Sequence, residues 1–282
     1  MRVLEGIIKI IQYKVETPKI LGPYHVICFC VMIAATVLFV LKFKDASDKT
    51  IRRLLFVTWC VIVMLEILKQ IQASYSLGGA GDYVWAYRWY DLPFQFCSTP
   101  YYCLPFIIFL PDGFFRRAFV AFFAGFSLFA GLVVMIYPGD VFSATLFLNL
   151  QTMIHHGAMV SIGVLMAVHN RRNMNIRYFL GSLVVFYFFA VTALVLNEVI
   201  YYTALSDSTT DAVNFFFISR HYPSTLPLLS DIYKALPYGW YLVVYFAGFT
   251  LASALIYFIE MGSFELNKKI KEAIGKRKSQ NG

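Results

Sequence analysis

Apolar residues run for about 20 positions at a time along this chain, the length an α-helix needs to cross bilayer hydrocarbon. Seven such runs are expected to span, at 23–43, 53–74, 92–111, 115–137, 149–169, 178–201 and 238–260. KDASDK, LGGAGD, PDG, YPGD and HNRRN break the pattern between them, followed by a long polar-aromatic stretch from Tyr202 to Pro237. The expected fold is all-α: a polytopic membrane bundle of about seven helices. No internal repeat is visible, so an inverted-repeat transporter gains no support. Ahead of the first run, Leu4, Ile7, Ile8, Ile11 and Val15 recur at helical spacing. That spacing predicts a short amphipathic helix lying in the interface. The same segment lacks the continuous apolar core of a cleaved leader. The expected organisation is therefore an interfacial segment over 1–22, a transmembrane domain over 23–262 and a basic tail over 263–282.

Charge then orients the bundle. Placing the carboxyl terminus in the cytoplasm and the amino terminus outside gathers Lys42, Lys44, Lys49, Arg52, Arg53, Arg116, Arg117, Arg171, Arg172 and Arg177 on the inner side with the tail. Only Arg2, Lys9, Lys14, Lys19, Arg88, Arg220 and Lys234 are left outside, as the bias of basic residues toward cytoplasmic loops requires. The expected location is the cell membrane. Composition agrees, because only 14% of residues are charged and 59% are hydrophobic, against about 25% charged in soluble domains. The net charge of +8 does not call for nucleic acid. Lys268, Lys269, Lys271, Lys276, Arg277 and Lys278 lie beyond the last apolar run, where each is worth about 1 kcal/mol against anionic lipid. Cys28, Cys30, Cys60, Cys97 and Cys103 all sit in apolar segments without CxxC spacing, which argues against a zinc or disulfide framework. No metal-ligand spacing, nucleotide loop or haem motif occurs, and no cofactor is expected.

Candidate chemistry lies where polar side chains interrupt the apolar runs. DLPFQFCSTPYYC, at 91–103, carries Cys97 about 8 Å below the start of its run by helical rise. LQTMIHHGAM, at 150–159, carries His155 and His156 at a depth of about 10 Å on the same side. Glu66, Lys69, Gln70 and Gln72 come to that depth from the second run, and Asn197 and Glu198 from the sixth. Ionisable groups inside a membrane are costly and face a bundle interior or a wet cavity, so one shared cavity in the outer half satisfies them together.

Such a cavity suits acyl transfer. An imidazole or a helix amino terminus near Cys97 favours its thiolate, and Pro93 can start that helix. His156 or His155 would be the base; the two rings stand ~100° apart on a helix, so at most one of them faces Cys97 directly. Free N–H groups with Gln95 or Ser98 would stabilise an oxyanion. Glu66 or Gln70 would orient the imidazole, while Tyr101 and Tyr102 read as interfacial or packing residues. An acyl chain among the apolar inner halves, with its ester at the polar layer, is the geometry of a membrane phospholipid. The same groups also suit a proton-coupled or small-molecule carrier that uses Glu66, Lys69 and the histidines without covalent chemistry, or a binding subunit. Phe215, Phe216, Phe217 and Tyr222 either dip into the interface and close the cavity from outside or belong to an ordinary extracellular loop with partial helix.

LPFQFCS, MIHHGAM and DAVNFFFISRHYPSTLPLLSDIYKALPYGWYL, at 92–98, 153–159 and 211–242, resemble the YwaF-like family of bacterial membrane proteins. That family is related to the animal transmembrane acyltransferase, transmembrane protein 164, which installs polyunsaturated chains in ether phospholipids. The resemblance implies Cys97 as the acyl-carrying nucleophile and His156 as its activator, with His155 the rival. It also implies that Asn214 and Pro223 shape a lid or pocket wall. The chain departs from the pattern at Gln95, where many bacterial members carry histidine.

Overall fold

The computed structural model describes residues 2–77, 83–206 and 212–280, with side chains over 5–77, 83–203 and 212–266. The side chains of Leu4 and of the six basic tail residues, and most of the LGGAGD break, lie outside this description. The elements are α1 (Arg2–Ile11), α2 (Pro23–Phe43), α3 (Asp48–Ser74), β1 (Tyr75–Leu77), β2 (Tyr83–Trp85), α4 (Thr99–Phe109), α5 (Phe114–Phe122), α6 (Leu128–Ile136), α7 (Leu146–His169), α8 (Ile176–Ser206), α9 (Leu229–Ala235) and α10 (Tyr238–Gln280). A π-helical turn, Phe123–Ser127, joins α5 to α6. β1 and β2 form a small antiparallel hairpin in which Tyr75 faces Trp85.

Six helices are long and apolar enough to cross a membrane: α2, α3, the α5–α6 unit Phe114–Ile136, α7, α8 and the Tyr238–Leu266 part of α10. The architecture is thus a polytopic membrane bundle. The third expected span is shorter than the apolar run at 92–111 suggested. Over Trp89–Asp91 and Phe96–Ser98 the chain makes 3-10 turns, and regular α-helix begins only at Thr99. Proline explains the difference. Pro93 falls in the irregular part, Pro100 takes the first-turn position where its missing N–H costs nothing, and Pro105 interrupts the interior. The resulting helix of 11 residues rises only about 16 Å. Irregular backbone at such depth is tolerated where protein covers it, and Phe96, Ser98, Thr99 and Pro100 are all buried.

One end of the bundle is rich in arginine. Arg52 donates to the carbonyls of Ile108 and Leu110, and Arg116 to that of Ile107. These bonds satisfy last-turn oxygens of α4 that no helical N–H can reach. Arg116 also pairs with Asp48 at 2.6 Å, Arg117 with Asp112 at 2.6 Å and Arg171 with Asp45 at 2.7 Å. The Arg117 guanidinium holds the Asp112 carboxyl below the usual carboxylate range, and Arg171 does the same for Asp45.

α7 is the central helix, with 72% of its most apolar stretch buried against 6% for α2. Small residues set that packing. A Cβ on Gly163 would come 2.7 Å from the Leu128 Cβ and 2.9 Å from the Phe123 carbonyl oxygen, so only glycine lets α7 approach the π-helical turn. Gly131 similarly admits Met159 and the His156 carbonyl to α6.

The amphipathic amino-terminal helix is present. Ile8 and Ile11 are buried while Ile7 and Ile10 are exposed. α1 packs on α3 at the bundle end opposite the arginines, where Gln12 donates to the carbonyls of Gln72 and Tyr75 and Lys14 bridges Thr145.

Candidate functional site

Polar side chains from α3, α4, α7 and α8, with Gln95, Cys97 and Asn214 from the segments between helices, lie toward the end opposite the arginines and divide into two groups with different tasks.

The first group surrounds Cys97. The imidazole Nε2 of His155 donates to the Cys97 carbonyl oxygen at 2.8 Å, so α7 and the turn before α4 meet through main chain. Next to it, the Nδ1 of His156 donates to the Thr152 carbonyl at 2.7 Å, with the Thr152 hydroxyl 3.3 Å away. The two rings stand at 90° with centroids 5.3 Å apart. Both histidines are buried, 3% and 4% exposed, and the second nitrogen of each ring has no hydrogen-bond partner among the described residues. An N–H anchored to a carbonyl fixes the neutral tautomer, so the opposite nitrogen carries a lone pair. Neither of these nitrogens is hydrogen-bonded to the half-buried Cys97 thiol, so the expected thiol–imidazole contact is not made, and the one contact between the pair and Cys97 runs through its carbonyl.

Glu66 stands one contact further away. Its carboxylate accepts from Tyr101 Oη at 2.9 Å, from Gln70 Nε2 at 2.7 Å and from Lys69 Nζ at 3.3 Å. Gln70 also donates to the Asp91 carbonyl at 2.6 Å. The expectation that Glu66 or Gln70 orients an imidazole directly is corrected here. Neither makes a hydrogen bond to a histidine, and Tyr101 stands between, its ring 4.8 Å from that of His155. Of the two readings of Tyr101, packing holds, while its hydroxyl is spent on Glu66 and is not turned to an interface.

The second group holds a re-entrant segment. Val213, Phe215, Phe216 and Ile218 are each at most 2% exposed. Phe216 packs on Phe94 and Phe96 at centroid distances of 6.1 and 5.6 Å. The long polar-aromatic stretch is therefore no simple cover resting in the interface. It enters the bundle directly over the Cys97 segment. Three amides hold it there. Gln95 donates to the Asn214 carbonyl and accepts from the Phe216 N–H. Asn197 bonds both main-chain groups of Phe215. Asn214 spans Tyr222, Pro223 and Ser219. Phe216 and Phe217 both adopt positive φ, 57° and 58°, a conformation that costs a bulky residue energy and needs this anchoring.

These bonds settle part of the supporting cast. Gln95 has both ends of its amide committed, and the N–H groups of Ser98 and Thr99 turn to the carbonyls of Gln95 and Phe96. Neither Gln95 nor those amides is an open oxyanion donor. The helix start expected at Pro93 is also displaced, since Cys97 lies in the 3-10 turn just before α4 and Pro100 opens the helix. Glu198 pairs with His221 at 3.0 Å, which ties α8 to the far side of the re-entrant segment. The residues that composition did not reveal are Tyr101, Thr152 and His221. Each acts through a contact between elements, and no local motif marks it. Among the described residues, no group of three or more His, Cys, Asp or Glu side chains is placed to hold a metal.

A family model, that of the TMEM164 family, matches residues 20–259, which reaches all six spanning helices and takes in the re-entrant segment. No curated protein and no solved structure matches the chain.

Proposed function

The chain belongs to the TMEM164 family, and from that premise we propose that it is a membrane acyltransferase or acyl hydrolase that forms a thioester on Cys97. The reading rests on the two buried imidazoles, each with one nitrogen anchored and one lone pair unclaimed, and on the bond from His155 to the Cys97 carbonyl.

His155 and His156 divide the work. His155 spends its N–H on the Cys97 main chain and fixes the nucleophile's turn. His156, with Nδ1 anchored on Thr152, keeps Nε2 free, the tautomer in which a histidine accepts a proton from a nucleophile. The Cys97 S–H proton passes to that nitrogen, and the sulfur attacks the carbonyl carbon of a phospholipid ester. The C–O bond breaks as the proton moves from the imidazolium to the departing alkoxide, leaving lysophospholipid and an acyl thioester. An acceptor hydroxyl, or water, then attacks the thioester through the same nitrogen and restores the thiol. The Ser98 side chain stands next in sequence as a polar neighbour of the developing charge.

Glu66 has its carboxylate engaged by three donors, which suits a fixed anchor better than the relay of a proton-coupled carrier. The excess of basic residues at the arginine-rich end supports a cytoplasmic location for that end. On that orientation the Cys97 turn and the re-entrant segment lie toward the outer leaflet.

Iodoacetamide tests the reading on the purified full chain. Cys97 should alkylate faster than Cys28, Cys30, Cys60 and Cys103, and Cys97→Ser should remove the fast phase alone. A Cys97 no more reactive than the four other cysteines would contradict an activated nucleophile.

A further inference from the structure

Resting on that reading of Cys97, we propose that Tyr101 is a positioning residue for the nucleophile, pinned by the Glu66 carboxylate and holding the His155 ring against the Cys97 main chain. Three elements meet in this chain of contacts: α3 through Glu66, α4 through Tyr101 and α7 through His155.

Glu66 is where the chain starts. Its side chain is 8% exposed, within a helix apolar enough to span a membrane. A carboxylate there is tolerated only when its oxygens are satisfied, and Tyr101, Gln70 and Lys69 satisfy them. Hydrogen bonds to an ionised acceptor are roughly twice as strong as neutral ones, so the Tyr101 hydroxyl is firmly placed. The other end of the residue is placed as well, because Trp59 Nε1 donates to the Tyr101 carbonyl at 2.9 Å. Both anchors come from α3.

Between its anchors the Tyr101 ring lies against His155, 4.8 Å between centroids and tilted by 37°. His155 is thus confined on one side by the phenol and on the other by its 2.8 Å bond to the Cys97 carbonyl. A tyrosine serving as an interfacial anchor turns its hydroxyl to the headgroup layer. Tyr102, one residue on, is exposed, with its hydroxyl on the Pro93 carbonyl. Tyr101 instead aims its hydroxyl at a buried carboxylate, and that orientation distinguishes positioning from surface anchoring.

The test uses the full chain in detergent, with Cys28, Cys30, Cys60 and Cys103 replaced by alanine, and follows iodoacetamide alkylation of Cys97 as a function of pH. Tyr101→Phe keeps the ring and loses the bond to Glu66. It should slow alkylation at pH 7 by about tenfold or more, the loss expected when a reacting group drifts by less than an ångström, and move the rate profile to higher pH. Glu66→Leu, which removes the acceptor, should slow it too, and the double variant should be no slower than the slower single one, because both remove the same bond. Tyr101→Phe within twofold of the parent at every pH, with His156→Ala slowing the reaction strongly, overturns the positioning role and leaves the base assignment standing. Slowing in Tyr101→Phe with no change in His156→Ala supports the positioning role and overturns the base assignment. No change in either variant overturns both. If Tyr101→Phe does not purify as a folded protein, Glu66→Leu alone decides, and an unaltered rate there overturns the proposal.

Discussion

Cys97→Ala should abolish turnover of a phospholipid ester, and His156→Ala should lower it by about 100-fold to 10,000-fold, the range that a positioned general base contributes. The two losses should not add. A nucleophile and its base act as one unit, so once the thiol is gone nothing remains for the imidazole to activate. His155→Ala should fall between His156→Ala and the wild type, because it frees the Cys97 turn without removing the acceptor on His156. Cys97→Ala should remain folded, since it removes a single sulfur, whereas His155→Ala and His156→Ala each empty buried volume on α7 and should cost some stability. Turnover of a fluorescent phospholipid in vesicles, normalised to folded protein, reads these differences.

Asn214→Ala should produce the largest loss of stability among substitutions in the re-entrant segment. The amide makes three bonds, to the Tyr222 and Pro223 carbonyls and the Ser219 N–H, all within buried or part-buried chain. At about 1 kcal/mol each, the loss is about 3 kcal/mol. For a chain of this size 1 kcal/mol moves the melting temperature by roughly 2–4 °C, so a fall of roughly 6–12 °C is expected by differential scanning fluorimetry. Activity should fall as well, because the segment packs on Phe94 and Phe96 and is tied to Gln95, two residues from Cys97. A variant with wild-type melting and wild-type turnover would show that the segment does not hold the site.

Much of this architecture was legible in the sequence because a bilayer imposes a length rule. Apolar runs near 20 residues located six spans, and the spacing of Ile8 and Ile11 located α1. The third span escaped because hydropathy does not see backbone. Pro93, Pro100 and Pro105 leave the run apolar while shortening the helix within it. The polar layer was also legible, since Glu66, Gln70, Cys97, His155 and Asn197 are all out of character for their surroundings. Their partners were not. Gln95 and Asn197 look like lining for a cavity until the structure shows their amides spent on the Asn214–Phe216 backbone. Tyr101 looks like an interfacial tyrosine until its hydroxyl is found on Glu66. Depth along a helix can be counted from sequence, whereas the azimuth that decides which neighbour a side chain meets depends on how the helices cross.

The central claim is that acyl groups pass through sulfur on Cys97. The most direct measurement is mass spectrometry of the Cys97 peptide after brief incubation of the full chain with a phospholipid of defined acyl composition. The account predicts an added mass equal to one acyl chain, released by neutral hydroxylamine and retained longer in His156→Ala if the adduct forms at all. Lipid turnover that proceeds at the wild-type rate in Cys97→Ala, with no such adduct on the native peptide, would contradict it.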